Sequence, residues 1–168
     1  QVMAQQAIIP RPPQIAATSY ILVDATTGEI LVENNADIPL PPASLTKIMT
    51  SYVAANEVKQ GTVTLEDMVN VSVKAWQMEG SKMFVQEGTQ VRFEDLLRGM
   101  IIQSGNDASV AIAEHIAGSE DAFADMMNQH AELLGLSNSY FLNASGLPQA
   151  QHTMSARDLA TLSVALIE

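Results

Sequence analysis

Ser44-Leu45-Thr46-Lys47 is the segment of this chain whose side chains could do covalent chemistry. A serine hydroxyl is a weak nucleophile at its own pKa and needs a base within hydrogen-bond reach. Pro39-Leu40-Pro41-Pro42-Ala43 holds the chain extended up to Ser44; apolar residues then recur at helical spacing through Ile48, Met49, Tyr52, Val53 and Ala55 until Gly61. A helix that opens near Ser44 puts residues three apart on one face, so Lys47 stands beside Ser44. Free backbone N–H groups and the positive end of the helix dipole gather at the same turn. That field, together with burial, is expected to lower the pKa of Lys47 and let it act as a neutral base. The competing reading is a serine that caps the helix and a lysine in solvent, because Ser-x-x-Lys also arises by chance.

A second polar cluster, Ser104-Gly105-Asn106, interrupts two apolar helical stretches, Phe93 to Ile102 and Asp107 to Ala117. A break between buried helices does not strand polar groups without partners. Ser104 is suited to relay a proton between Lys47 and a leaving amine, and the Asn106 amide can hold a carbonyl and accept from Lys47. The competing reading is a plain helix break with Asn106 as its N-cap.

Composition removes other classes of chemistry. There is no cysteine, so thiol nucleophiles, disulfides and Cys-based zinc sites are out. The formal net charge is −11, with 8 basic residues against 19 acidic ones and no basic run, which argues against nucleic acid and against an anionic membrane surface. His115, His130 and His152 are scattered, with no carboxylate at metal-ligand spacing, and no metal or cofactor is expected. The nine methionines read as core filler. No stretch of eighteen apolar residues exists to span a bilayer.

The elements that must position these residues are readable in outline. Residues 1–17 read as a flexible lead-in, left by leader removal or trimming, and 18–168 as one catalytic unit. Thr18 to Val32 predicts a hairpin around Ala25-Thr26-Thr27-Gly28, and Val69 to Val73 alternates like a strand. Ala75 to Thr89 is loop-like, with Met83-Phe84-Val85 as a short strand inside it. Glu120 to Leu134 predicts an amphipathic helix with Phe123, Met126, Met127 and Leu134 inward. Asn143 to His152 is polar and turn-rich, and Ser155-Ala156-Arg157-Asp158 matches a capping box before a last apolar helix.

Ser44-x-x-Lys47 followed by Ser104-x-Asn106 resembles the low-molecular-mass penicillin-binding proteins of the serine D-alanyl-D-alanine carboxypeptidase type. The likeness extends to Ser19-Tyr20-Ile21-Leu22-Val23-Asp24, Pro42 to Thr50, Leu97-Arg98-Gly99-Met100, Gln103 to Ala108 and Ser155 to Leu159. It implies an α/β fold: the N-terminal and helical part of a β-lactamase/transpeptidase-like domain, its helices packed on an antiparallel sheet whose C-terminal strands lie outside this chain. It also implies removal of the terminal D-alanine of peptidoglycan stem pentapeptides through an acyl-enzyme on Ser44, with Lys47 and Ser104 moving protons and Asn106 holding substrate. The Ser44 N–H would give half of an oxyanion hole. β-Lactams would acylate the same serine. Ser81, in Gly80-Ser81-Lys82-Met83-Phe84, resembles a substrate-bordering loop, with a plain surface loop as the alternative. A periplasmic location, attached to the inner membrane in the full-length parent, belongs to the same expectation.

The family's Lys-Thr-Gly strand is not in these residues, where the only lysines are Lys47, Lys59, Lys74 and Lys82. A second segment or chain is therefore expected to supply it. Three rivals stand beside the main reading: a class A β-lactamase, a D,D-endopeptidase, and a catalytically incomplete fragment. The first needs a Glu-x-x-Leu-Asn loop, and Phe141-Leu142-Asn143 has no Glu at that spacing.

Overall fold

A computed structural model describes residues 11–168, so most of the expected lead-in, residues 1–10, lies outside the described residues. Residues 11–17 are exposed and have no regular structure. The fold is α/β. Strands β1 (Tyr20–Val23) and β2 (Ile30–Asn34) form the expected hairpin, with a register shift between Leu22 and Val23. Asp24 closes its turn by accepting from the Thr26 and Thr27 N–H groups. The hairpin is a two-stranded sheet by itself, and a second antiparallel pair joins β3 (Met68–Asn70) to β4 (Gln90–Arg92).

Among the described residues six α-helices carry the rest: α1 (Thr46–Gln60), α2 (Val73–Gln77), α3 (Phe93–Gln103), α4 (Asn106–Ala117), α5 (Glu120–Leu133) and α6 (Ala156–Ile167). Helix α4 is the axis. Its residues Asn106 to Ala113 are all buried: Ala108 and Val110 to Ala113 are small or apolar, and the polar Asn106, Asp107 and Ser109 among them have hydrogen-bond partners. On one side Val69, Phe93, Leu96 and Met100 pack with Val110 and Ile112. On the other, Met49 and Val53 of α1 meet Phe123 and Met127 of α5, Phe141, and Leu162 of α6. Within the expected inward stripe of α5, Phe123 and Met127 are fully buried while Met126 and Leu134 are partly so.

Three sequence expectations give way. The strand predicted over Val69–Val73 stops at Asn70, because the Ser72 hydroxyl accepts from the Ala75 N–H at 3.0 Å and starts α2, placing Val73 in its first turn. Met83-Phe84-Val85 is no strand. The N–H groups of Met83 and Val85 both turn to the Asp107 carboxylate, at 3.0 and 3.1 Å, and Phe84 between them takes φ +64°. The Ser155 cap forms, its hydroxyl accepting from the Asp158 N–H at 3.1 Å, but the Asp158 carboxylate does not close a box: it accepts from the Asn138 N–H and the Ser139 hydroxyl. Arg157 ties α6 to the hairpin region through Glu33 and Asp37.

Candidate active site

The approach to Ser44 is strained. Ala43 sits at φ +48°, and Ala43–Leu45 form a 3-10 turn that feeds directly into α1. Neither turn nor helix is capped by a side chain, so Ser44 is not spent as a cap. Ser44 is exposed, whereas Lys47 one turn on is only 6% exposed. This is not a solvated lysine.

Three oxygens surround Lys47 Nζ: the Asn106 amide oxygen at 2.8 Å, the Ser145 carbonyl at 2.7 Å and Ser44 Oγ at 3.5 Å. The first two can only accept. A neutral amine has two N–H bonds and one lone pair, so with both N–H groups committed to those carbonyl oxygens the lone pair is left for the one neighbour that carries a hydrogen, the Ser44 hydroxyl. Burial pushes the Lys47 amine down to about 8, which brings that neutral form within reach near neutral pH.

Asn106 opens α4, and Gly105, not Asn106, is the residue at the N-cap position. The Asn106 side chain is turned inward instead, accepting from Lys47 and donating from Nδ2 to the Glu79 carbonyl at 2.7 Å. Its own N–H donates to the Ser81 carbonyl at 2.7 Å, which fixes the loop that carries Ser81. Asp107, fully buried next door, anchors the same loop.

Ser104 ends α3 in the left-handed region at φ +54°. Its Oγ is the one buried side-chain oxygen or nitrogen among the described residues with no hydrogen-bond partner. Strain and an unused buried hydroxyl both cost stability, which makes Ser104 a candidate for a functional role. Ser104, Ser44 and Lys47 line a cleft of about 630 Å³, together with Ile48, Leu97 and Met100. A second cleft of about 510 Å³ opens on the other side of Ser44 and is lined by Ser81, Asn106 and Gly146. Ser44 lies where the two meet. All five residues singled out in the sequence therefore border these clefts.

Sequence reasoning missed the third wall, residues 141–152. From Asn143 to Gly146 this loop is buried, and a buried loop must satisfy its own backbone. Asn143 does so: Oδ1 accepts from the Gly146 N–H at 2.7 Å and Nδ2 donates to the Leu147 carbonyl at 3.0 Å. Gly146, at φ +85°, lies so close to the turn before Ser44 that a Cβ would stand 1.8 Å from the Ala43 carbonyl oxygen. Gly146→Ala is therefore expected to lose about 1–3 kcal/mol of stability to strain and displacement. Thermal melting measures the loss, and a variant with an unchanged melting temperature would contradict this account of the close approach.

Comparison with known proteins agrees with the geometry. The family described as D-alanyl-D-alanine carboxypeptidase matches residues 6–168. The D-alanyl-D-alanine carboxypeptidase DacA of Escherichia coli (strain K12) is 45% identical over 168 residues, a span of 96% of this chain and 42% of DacA. A D-alanyl-D-alanine endopeptidase of Pseudomonas aeruginosa is 30% identical over 95% of this chain and 50% of its own length. The crystal structure of the carboxypeptidase DacD from Francisella tularensis superposes with a TM-score of 0.92 at 43% identity, covering 98% of this chain and 40% of that one. The chain thus spans half or less of the length of these relatives. A match over nearly all of these residues, joined to a buried lysine aimed at an exposed serine, leads to one conclusion: the chain belongs to the D-alanyl-D-alanine carboxypeptidase family.

Proposed function

We propose that this chain carries the nucleophile, base and proton relay of a serine D-alanyl-D-alanine carboxypeptidase that trims peptidoglycan stem pentapeptides in the periplasm. The observation that carries the reading is the buried Lys47 amine, with two acceptor-only oxygens and the Ser44 hydroxyl as its neighbours. Ser44 Oγ attacks the carbonyl carbon of the penultimate D-alanine as Lys47 takes its proton. The unpartnered Ser104 hydroxyl passes a proton to the departing D-alanine nitrogen as the C–N bond breaks. Water then hydrolyses the ester on Ser44. Asn106 and Ser81 border the cleft in which the stem peptide would lie. A Lys-Thr-Gly strand from outside these 168 residues would complete the wall for the substrate carboxylate.

β-Lactams would acylate Ser44 in place of substrate. These 168 residues hold no Glu-x-x-Leu-Asn loop of the kind that drives deacylation, and mixing with penicillin is expected to give a burst followed by a near-stationary adduct. Release of D-alanine from a synthetic pentapeptide ending in D-alanyl-D-alanine is the matching test of substrate. Sustained turnover of penicillin, or cleavage of cross-linked dimers without release of terminal D-alanine, would replace this reading. The second outcome would favour the endopeptidase alternative, which the more distant relative supports at 30% identity against 45% for the carboxypeptidase.

A further inference from the structure

Lys47 donates to a backbone carbonyl, that of Ser145, and a carbonyl goes wherever its loop is held. Two contacts grip the loop just before Ser145. Glu120 Oε1 of α5 accepts from the Ala144 N–H at 3.1 Å, and the Thr50 hydroxyl of α1 donates to the Ala144 carbonyl at 2.8 Å. A third grip comes from His152, which is 3% exposed. Its Nδ1 accepts from the Leu142 N–H at 2.9 Å, and its Nε2 lies 2.7 Å from Thr46 Oγ1. A backbone N–H can only donate, so Nδ1 holds a lone pair, the ring proton sits on Nε2, and it is given to the Thr46 hydroxyl. The imidazole is a strut. One nitrogen draws the two ends of the loop together, and the other fastens them to the residue that precedes Lys47 in α1.

We propose that His152 is a positioning residue for Lys47: by bridging Leu142 and Thr46 it holds the loop that keeps the Ser145 carbonyl on the Lys47 amine. The proposal rests on the reading of Lys47 as the base for Ser44. Only the neutral ring fits, since a second proton would set Nδ1–H against the Leu142 N–H, and burial pushes this imidazole below its ordinary value. The charged groups facing the loop are Lys47 from α1, Glu120 from α5 with its partner Lys74 of α2, and Asp158 of α6, which holds Asn138 and Ser139 where the loop begins. None of them hydrogen-bonds the ring among the described residues. The Phe141 ring packs edge-on against it at 5.9 Å.

Without the strut the Ser145 carbonyl leaves the amine and water reaches it, so the burial that depresses Lys47 is relieved and its pKa climbs. The test is the rate of acylation by a fluorescent penicillin as a function of pH, with the adduct verified on Ser44 by mass. In Thr46→Val and in His152→Ala the midpoint of the profile is expected to move up by about one pH unit, which lowers the rate at pH 7 about tenfold. His152→Gln, whose amide can still donate to Thr46, should recover part of the shift. Loss of packing alone would lower the amplitude and leave the midpoint in place. Thr46→Val replaces the hydroxyl by a methyl group of similar size, so it decides the matter if His152→Ala fails to fold: an unmoved midpoint in Thr46→Val overturns the proposal. Failure of the underlying reading looks different, because labelling would then survive in Lys47→Ala with His152 intact, and that result would overturn both.

Discussion

Replacing Ser44 by Ala is expected to abolish covalent labelling by penicillin while leaving the fold unchanged. Ser44 is exposed, caps no helix, and makes a single long hydrogen bond of 3.5 Å, so its hydroxyl contributes little to stability. A surface substitution of this kind falls within about 0.5 kcal/mol of neutral. Chemistry and stability therefore separate cleanly at this position. No other serine in the chain has a lysine three residues on, and none of Lys59, Lys74 and Lys82 can substitute for Lys47 in that arrangement. The adduct mass should be absent and the melting temperature retained. Peptide mapping that finds an adduct in Ser44→Ala would remove Ser44 from the role of nucleophile.

The parts of this site that were legible in the sequence are those carried by side chains close together in the chain. Ser44 and Lys47 are related by a single helical turn, and a proline-rich approach followed by apolar periodicity is enough to place that turn. Ser104 and Asn106 stood out because polar residues between two apolar helices demand an explanation. The Ser145 carbonyl is a different case, since a backbone oxygen has no residue signature and it reaches Lys47 across 98 positions. The His152 strut to Thr46 spans 106 positions, and in the sequence His152 was one of three isolated histidines. A polar, turn-rich segment reads as surface, whereas Asn143 lets this one be buried by satisfying its backbone from within.

The short elements failed for a related reason. β4 spans only Gln90–Arg92 and α2 only Val73–Gln77, lengths at which periodicity carries almost no information. At Met83 and Val85 the deciding partner was the carboxylate of Asp107, more than twenty residues away. That carboxylate converts a short apolar run into a loop bent towards the site. Local pattern and distant partner disagreed there, and the distant partner prevailed because the buried Val85 N–H and the part-buried Met83 N–H found their acceptor in it.

Substitution of Lys47 carries the largest effect after Ser44, and the choice of replacement separates two roles. Lys47→Ala deletes the base and leaves the Asn106 and Ser145 oxygens without their donor, so acylation is expected to fall by about 10²–10⁴-fold. Lys47→Arg keeps a cation and several N–H donors for those oxygens but has no lone pair at any accessible pH. If Lys47 served only to hold Asn106 and Ser145, Arg would rescue. If it takes the proton of Ser44, Arg is as inactive as Ala. The pH profile of the unaltered protein makes the same distinction, because the amine must be neutral to act and burial sets its value at about 8. Acylation should therefore rise about tenfold per pH unit on the acid side and level off above that value. Stability shifts in the same direction: between about 8 in the fold and 10.5 for a free lysine, the unfolded chain binds a proton that the folded one does not, so raising the pH through that window favours the fold at this group. A profile that is flat from pH 6 to 9, or an Arg variant that acylates at the rate of the unaltered protein, would show that another group removes the proton.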